Sequence, residues 1–282
     1  MEIGLKPLNS EFAHEVVGIS TWSDSIYEEA EFLRKSLSTF GLLVFRRQSI
    51  NEAELIAFSS IFGELGIILR SDWASSINPE ITRISNLRDA KNVPIGGLGS
   101  GELDWHTDQS YMQEPATGAV LHAIEAPENG PKTYWANLAL AYASLSDSTK
   151  RKLEGKKGVF SYAKRVSGYD QETTPEEVQR KTPDVTHALV NEHPITGQKS
   201  LYLDPATTTG VEGMPHDEGI SFLGELATHA TSSAFIYEHD WQVGDIIIWN
   251  NGFLLHKRDA FGIRQNRLLK RMTIQLPASS HF

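Results

Sequence analysis

A short run of the sequence, Asp-Trp-His-Thr-Asp, places an imidazole and a carboxylate two residues apart, at His106 and Asp108. On an extended strand, residues i and i+2 point to the same side, so both groups can converge on one divalent metal ion. A third ligand must come from elsewhere, and the best candidate is His256, just past the apolar run 246–249. Two histidines and one carboxylate form the facial triad of non-haem Fe(II) oxygenases, which leaves coordination positions open for co-substrate and oxygen.

The three residues alone leave other interpretations open. A His-x-Asp pair is often a hydrogen-bonded surface pair, and a single histidine after an apolar strand usually has a structural role. The same donors also suit zinc, which would indicate a hydrolase. A metal-free binding or storage protein would keep the strands without needing the ligands. Oxygen uptake that depends on added Fe(II) distinguishes an oxygenase from both.

Two arginines in an apolar segment, Arg267 and Arg271, favour the oxygenase. A guanidinium among apolar residues is costly unless it pairs with an anion, and its planar fork matches a carboxylate. Residues four apart on a strand point the same way. The sequence therefore predicts that both arginines face one opening and that each needs an anionic partner there.

The chain resembles the TauD/TfdA family (taurine dioxygenase-like) of Fe(II)- and 2-oxoglutarate-dependent oxygenases. The resemblance lies in the Trp-His-Thr-Asp block at 105–108 and in segments 125–127, 133–137 and 244–274. It implies that the three metal-ligand candidates hold catalytic iron. Many short strands at turn-rich spacing predict a sandwich or barrel. The resemblance narrows this to a double-stranded β-helix (jelly roll) with flanking helices, in a single domain over 1–282.

The resemblance also implies roles for residues outside the metal set. Thr133 and Arg267 would bind the far carboxylate of 2-oxoglutarate. Arg271 would face either a small anionic substrate or the near carboxylate of 2-oxoglutarate. Gln109 and Tyr111, just after the metal block, are further candidates for substrate contacts.

The implied reaction is hydroxylation, desaturation or a related C–H oxidation, with O2 consumed and succinate and CO2 released. Halogenating relatives replace the carboxylate ligand by a small residue, so Asp108 favours oxygenation. The expected substrate is amino-acid-like or another carboxylic acid. An isonitrile-forming oxidative decarboxylation of an amino-acid derivative, in secondary metabolism, is the alternative within the family. The sequence departs from the pattern of this family at two places that would shape the pocket. Trp-Asn-Asn-Gly at 249–252 stands where the family often has Trp-Asp-Asn-Arg, and Lys270 stands where the family often has histidine.

Composition excludes several classes of protein. The 282 residues are 40% hydrophobic and 22% charged, as in ordinary globular domains, and contain no cysteine for disulfides or thiolate ligands. The net charge of −10 argues against nucleic-acid or anionic-membrane partners. No apolar run approaches the ~20 residues of a membrane span, and the start lacks the apolar core of a signal peptide. A cytoplasmic location is expected, and a homo-oligomer is left open.

Apolar periodicity and turn residues predict the elements that position these groups. Helices are predicted over 24–39, 52–62, 138–145, 148–153 and 219–231, with a helical turn at 175–180, and strands over 3–5, 16–19, 42–46, 81–86, 118–124, 133–135, 160–166, 186–191, 200–203 and 234–238. Residues 88–101 contain four glycines and one proline and show no periodicity. They form either a connector or a lid over the site.

Overall fold

A computed structural model describes residues 3–19, 25–68, 73–167 and 182–280 of the chain. The predicted helical turn at 175–180 and Asp24, the first residue of the first predicted helix, lie outside these ranges. Within them, no helix combines the length and the apolar character that crossing a bilayer requires.

The strands and helices are numbered here in chain order. The strands are β1 Gly4–Pro7, β2 Ala13–Val17, β3 Leu42–Phe45, β4 Glu64–Gly66, β5 Ile81–Ser85, β6 Gly97–Leu98, β7 Leu103–His106, β8 Gly118–Glu125, β9 Thr133–Asn137, β10 Lys157–Phe160, β11 Val185–Ala188, β12 Val190–Glu192, β13 Lys199–Leu201, β14 Thr208–Val211, β15 Ile236–His239, β16 Ile246–Asn250, β17 Leu254–Arg258 and β18 Leu268–Gln275. The α-helices are α1 Ser25–Glu28, α2 Ala30–Phe40, α3 Glu52–Ser60, α4 Leu138–Ser144, α5 Asp147–Leu153, α6 Tyr162–Ser167 and α7 His216–Ala230, and 3-10 turns cover Ser233–Phe235 and Ala278–Ser280.

Two sheets form the body of the described structure. The larger has nine strands in the order β1-β2-β3-β16-β8-β18-β5-β6, with β4 also paired to β18, and the smaller has the order β15-β9-β17-β7. Their facing surfaces share one apolar core, in which Trp135 and Leu254 of the smaller sheet pack with Val44 and Trp249 of the larger one. The predicted jelly roll is confirmed by this architecture.

The central strand β16 shows why the sheets stack with helices outside. Every one of its residues is buried, so it must be covered on both faces. Ile247 and Trp249 point into the core between the sheets, whereas Ile246 and Ile248 pack with the residues of α2 and α3. Alternate side chains of a strand point to opposite faces, which explains this division. Helices α4 and α7 cover the outer face of the smaller sheet in the same way.

Four predicted elements differ from the structure. The strand predicted over 186–191 is divided at Leu189 into β11, which pairs with β10, and β12, which pairs with β13. The strand predicted over 160–166 is wrong: the strand ends at Phe160 and a helix, α6, follows. A register shift between Val159 and Phe160, and hydrogen bonds from Ser161 N to Thr207 O and from Lys164 Nζ to Thr208 O, turn the chain here. The helix predicted over 24–39 is divided at residue 29, and the strand predicted at 234 begins at 236 after a 3-10 turn.

The glycine-rich segment 88–101 is attached to the sheets. Gly97 and Leu98 form β6, parallel to β5, and a Cβ on Gly97 would lie only 2.3 Å from the ring of Trp73. Arg258 on β17 donates hydrogen bonds to the carbonyls of Leu98 and Gly101. Close packing therefore accounts for Gly97, and the segment runs beside the strand that carries His256.

The amino end of α3 supports a stability prediction. Asn51 Oδ1 accepts from Glu54 N at 3.0 Å and Glu54 Oε2 accepts from Asn51 N at 2.7 Å, which is a complete capping box. Replacing Asn51 with alanine should lower the free energy of unfolding by about 1 kcal/mol, measured by urea denaturation. Asn51→Asp is the control, because aspartate caps equally well. An equal loss in both variants would contradict the role of the cap.

Candidate metal centre

Two histidines meet across a pair of neighbouring strands. His106 ends β7, His256 lies in the middle of β17, and the two are register partners whose ring centroids are 4.1 Å apart. Asp108 completes the group: one potential ligand atom from each of the three residues lies within 4.8 Å of the others. All three side chains are buried, with at most 8% of each residue exposed. The structure therefore brings together the three residues predicted to hold a metal.

The position of Asp108 has a different cause from the one predicted. Strand β7 ends at His106, so strand alternation does not orient Asp108. The chain instead turns, with Gln109 at a left-handed φ of 57°. Thr107 anchors this turn by donating from Oγ1 to Asn251 O at 3.0 Å, in the connection between β16 and β17. The carboxylate ligand is thus placed by a turn that residues distant in sequence hold.

Asp204, which sequence reasoning missed, supports the same turn from the other side. Its Oδ2 accepts from Ser110 Oγ at 2.6 Å and from Thr107 N at 3.2 Å, and the residue is fully buried. Burial raises the pKa of Asp204, although Arg165 and the hydrogen bonds from Ser110 and Thr107 oppose this. A lone aspartate before a proline carries no signal for this role.

The donor atoms of the three residues are suited to a divalent cation. A backbone carbonyl can only accept, so His106 Nδ1 donates to Asp104 O at 2.6 Å and the lone pair lies on Nε2. Asp108 Oδ1 accepts from Arg271 Nη1 at 2.8 Å. Asp108 Oδ2 is buried; the Asn251 side chain is close enough to help lower the pKa of the carboxyl, but no described group makes a hydrogen bond of good geometry to this oxygen, as expected of a metal ligand. Two imidazoles and one carboxylate therefore fit Fe(II).

Electrostatics keep these groups in the forms that bind metals. Burial is the main reason that the pKa of His106 lies well below its usual value and that of His256 falls to about 4. Burial alone would raise the pKa of Asp108, but nearby positive charge, that of Arg271 above all, outweighs it and the pKa lies below its usual value. The histidines are therefore neutral, and the aspartate ionised, near neutral pH.

This charge state predicts an unusual pH dependence of metal binding. Mn(II) affinity should change little between about pH 6 and about pH 8, where a histidine of ordinary pKa, about 6.5, would begin to gain a proton. Both ligand histidines remain neutral there, because their pKa values are depressed, so affinity should fall only as the pH approaches about 4. Electron paramagnetic resonance of free Mn(II) across a pH series measures this. Half-loss of binding near pH ~6.5 would contradict it.

Thr133 and Arg267, the residues predicted to bind 2-oxoglutarate, lie in one corner of the fold, near Arg258 and Trp241. Thr133 on β9 is the register partner of Arg258 on β17, and Arg258 and Arg267 both lie over the ring of Phe261. Arg267 and Trp241 line the same cavity, whose volume is about 640 Å³. Arg267 is only 2% exposed and forms no ion pair with any acidic side chain of the described residues. Burial and then the like charge of Arg258 lower its pKa, so this corner favours an anion.

The remaining candidates lie around the metal turn. Arg271 is paired with Asp108, and its Nε is buried without a hydrogen-bond partner among the described residues. Gln109 forms the left-handed turn position, and the ring of Tyr111 packs on Tyr162 of α6 at 4.6 Å. Arg271 thus contacts a metal-ligand candidate directly, which the sequence did not indicate.

Helix α6 brings a further cation that sequence reasoning missed. The positive charge of Arg165 lowers the pKa of each of the three metal-ligand candidates. The segment was predicted as a strand, so no sequence signal placed Arg165 at the site. Among the described residues, Arg165 and Arg271 are thus the two arginines whose charges act on these three groups.

Comparison with known proteins gives a consistent result. A family model described as "Taurine catabolism dioxygenase TauD, TfdA family" matches residues 4–273. An alpha-ketoglutarate-dependent 2,4-dichlorophenoxyacetate dioxygenase of Cupriavidus pinatubonensis is 32% identical, covering 97% of this chain and 98% of its own. The (S)-phenoxypropionate/alpha-ketoglutarate-dioxygenase of Sphingobium herbicidovorans is 28% identical, with 94% and 92% covered. The crystal structure of AAD-2 with Mn(II) and N-oxalylglycine superposes with a TM-score of 0.82, 27% identity and 98% of both chains covered.

Proposed function

Because the chain belongs to the TauD/TfdA family of 2-oxoglutarate-dependent dioxygenases, we propose that it oxidises a C–H bond of a small anionic substrate. One observation carries the proposal: three buried metal-binding groups converge on one point, and Arg271 pairs with the carboxylate among them. In this proposal residues 1–282 form one catalytic domain, since residues from opposite halves of the chain build the centre.

Different residues of the site bind the metal ion and 2-oxoglutarate. His106 and His256 offer neutral nitrogens and Asp108 a carboxylate oxygen to Fe(II), and all three are buried, which excludes bulk water. Thr133 and Arg267 bind the distal carboxylate of 2-oxoglutarate, where a guanidinium fork matches the anion. When bound, iron and 2-oxoglutarate supply the activation of O2. The alternative of a non-catalytic binding protein does not account for relatives named as dioxygenases.

Charge balance supports an anionic substrate. The charge of bound 2-oxoglutarate would be met by Arg267 and the metal, and the charge of Asp108 by Arg271. Asp204 and Arg165 offset one another. The second positive charge of the metal is met by none of these groups, which favours a monoanionic substrate. The substrates in the names of the two relatives, dichlorophenoxyacetate and phenoxypropionate, are carboxylates.

Arg271 is the residue that we assign to the substrate anion. It lies on β18, its Nη1 already contacts Asp108, and its unpaired Nε remains for a second anion. The alternative role of Arg271, also implied by the family resemblance, is to bind the near carboxylate of 2-oxoglutarate. Gln109 and Tyr111, which follow Asp108 closely in the sequence, would contact the body of the substrate.

A substrate screen tests the proposal. Small carboxylates and sulfonates, each paired with its neutral amide or ester, are added to enzyme, Fe(II) and 2-oxoglutarate, and succinate is measured. We expect stimulation by an acid and not by its neutral partner. Stimulation by neutral compounds alone would refute an anionic substrate.

Variants at Arg271 and at its neighbour Lys270 then test whether Arg271 binds the substrate anion. Arg271→Gln should raise the KM for the substrate that the screen finds. Lys270→Gln is the matched control, because Lys270 lies on the opposite side of β18 and pairs with Glu52 at 3.1 Å. An increase in the KM for 2-oxoglutarate alone would assign Arg271 to the co-substrate instead.

A further inference from the structure

The hydroxyl of Thr133 has a defined hydrogen-bond partner within the protein. Trp241 Nε1 donates to Thr133 Oγ1 at 2.8 Å, and both residues are buried. An indole nitrogen can only donate, so the threonine oxygen is the acceptor and its own proton is left for another group. Trp241 also lines the cavity that contains Arg267. The tryptophan thus acts on the corner proposed to bind the distal carboxylate.

A buried polar cluster holds this tryptophan. The ring of His239 packs edge-on against Trp241, with centroids 4.8 Å apart. His239 Nε2 lies 3.0 Å from Asp245 Oδ2, and the hydroxyl of Tyr237 lies 2.9 Å from His239 Nδ1. Burial lowers the pKa of His239, which favours the neutral ring. With the carboxylate as acceptor, Nε2 carries the proton and Nδ1 accepts from Tyr237, so the orientation of the ring is fixed.

Asp245 lies at the end of the loop between β15 and β16 and connects this cluster to Arg46, which directly follows β3. It is fully buried, and its Oδ2 also accepts from Arg46 Nη1 at 2.5 Å and from Gln242 N at 2.9 Å. The loop that carries Trp241 is therefore anchored immediately before and after the tryptophan. Buried ion pairs contribute little net stability compared with apolar packing, so a function in orientation accounts better for such a cluster.

We propose that Trp241 is a positioning residue for 2-oxoglutarate. Its N–H makes Thr133 a hydrogen-bond donor toward the distal carboxylate, and the Asp245–His239 pair keeps the indole in place. This inference rests on the proposed function of the same site. Arg267 and an oriented Thr133 would then present only donors, so the corner selects a carboxylate, which only accepts, over a carboxamide, which must also donate.

A double-mutant cycle tests the inference without turnover. N-oxalylglycine is titrated calorimetrically into the Mn(II)-loaded protein, the Trp241→Phe variant, the Thr133→Val variant and the double variant. Each single change should weaken binding about two- to tenfold, the range expected for one hydrogen bond. The double variant should bind no more weakly than Thr133→Val, because Trp241 acts through Thr133. Additive losses, or unchanged binding in Trp241→Phe, would overturn the proposal.

Further variants keep the test decisive if Trp241→Phe folds poorly. Asp245→Asn should weaken binding of N-oxalylglycine in the natural background, and not when Thr133 is valine. Tyr134→Phe is the matched control: it removes a side-chain hydrogen bond, from Tyr134 to Asp259 Oδ2 at 2.8 Å, at the residue next to Thr133 but on the other face of β9, so affinity should not change. If the unaltered protein does not bind N-oxalylglycine at all, the proposed function fails. If it binds but the cycle shows no coupling, only the role of Trp241 fails.

Discussion

Replacing His106, Asp108 or His256 with alanine should abolish oxygen uptake that depends on 2-oxoglutarate and Fe(II). We expect a loss on the order of a thousandfold or more, equivalent to about 4 kcal/mol of transition-state stabilisation. The reason is geometric: the three groups are the only described His, Cys, Asp or Glu set whose ligand atoms converge in this way, so two survivors cannot hold the metal. Oxygen consumption and Mn(II) binding, measured on the same preparations, check this.

The controls separate loss of metal from loss of fold. His122→Ala removes another buried histidine, on β8 of the larger sheet and outside the metal group, and should leave Mn(II) stoichiometry unchanged. Asp108→Ala also leaves Arg271 without its carboxylate, so thermal unfolding of each variant must be compared. Iron-dependent turnover in any of the three alanine variants would show that the wrong ligand had been chosen.

Arg267→Ala should weaken binding of 2-oxoglutarate by roughly 10- to 150-fold. A hydrogen bond to a charged group is worth about 1.5–3 kcal/mol, and each ~1.4 kcal/mol is a factor of ten in affinity. This side chain is almost fully buried and has no acidic partner among the described residues, so an anion is its natural ligand. The KM for 2-oxoglutarate and the Kd of N-oxalylglycine measure the effect.

Two further variants, one at Arg267 itself and one nearby, serve as controls for this result. Arg267→Lys should recover only part of the affinity, because an ammonium is a point charge without the planar fork. Arg264→Ala removes an exposed arginine three residues earlier and should have no effect. If Arg267→Ala keeps full dependence on 2-oxoglutarate, the assignment of this arginine is wrong.

Local pattern was sufficient for much of the fold. The apolar run at 246–249 and the helices predicted over 52–62, 138–145 and 148–153 correspond to elements of the structure within a few residues, and Asn51, Asn137 and Ser146 cap those helices. Such signals depend on side-chain alternation and on hydrogen bonds that span three or four residues. The segment 160–166 failed because contacts with Thr207 and Thr208, far along the chain, determine where the strand stops.

Residue types and their order along the chain determined which chemistry the protein could perform. Two histidines, a carboxylate and buried arginines have few uses together, and their resemblance to one family indicated the jelly roll and the cofactors, which the comparisons confirm. These inferences need chemical identity and order, which a sequence contains directly.

Only the tertiary structure decided how the site is assembled. Asp108 reaches its position through a turn held by Asn251 and Asp204, Arg165 arrives on an unpredicted helix, and Trp241 donates to Thr133. Each of these contacts joins groups that are distant in sequence, and sequence periodicity describes only neighbours along one strand or helix. The orientation of a hydroxyl or carboxylate depends on such distant partners, so it becomes known only once the sheets have packed together.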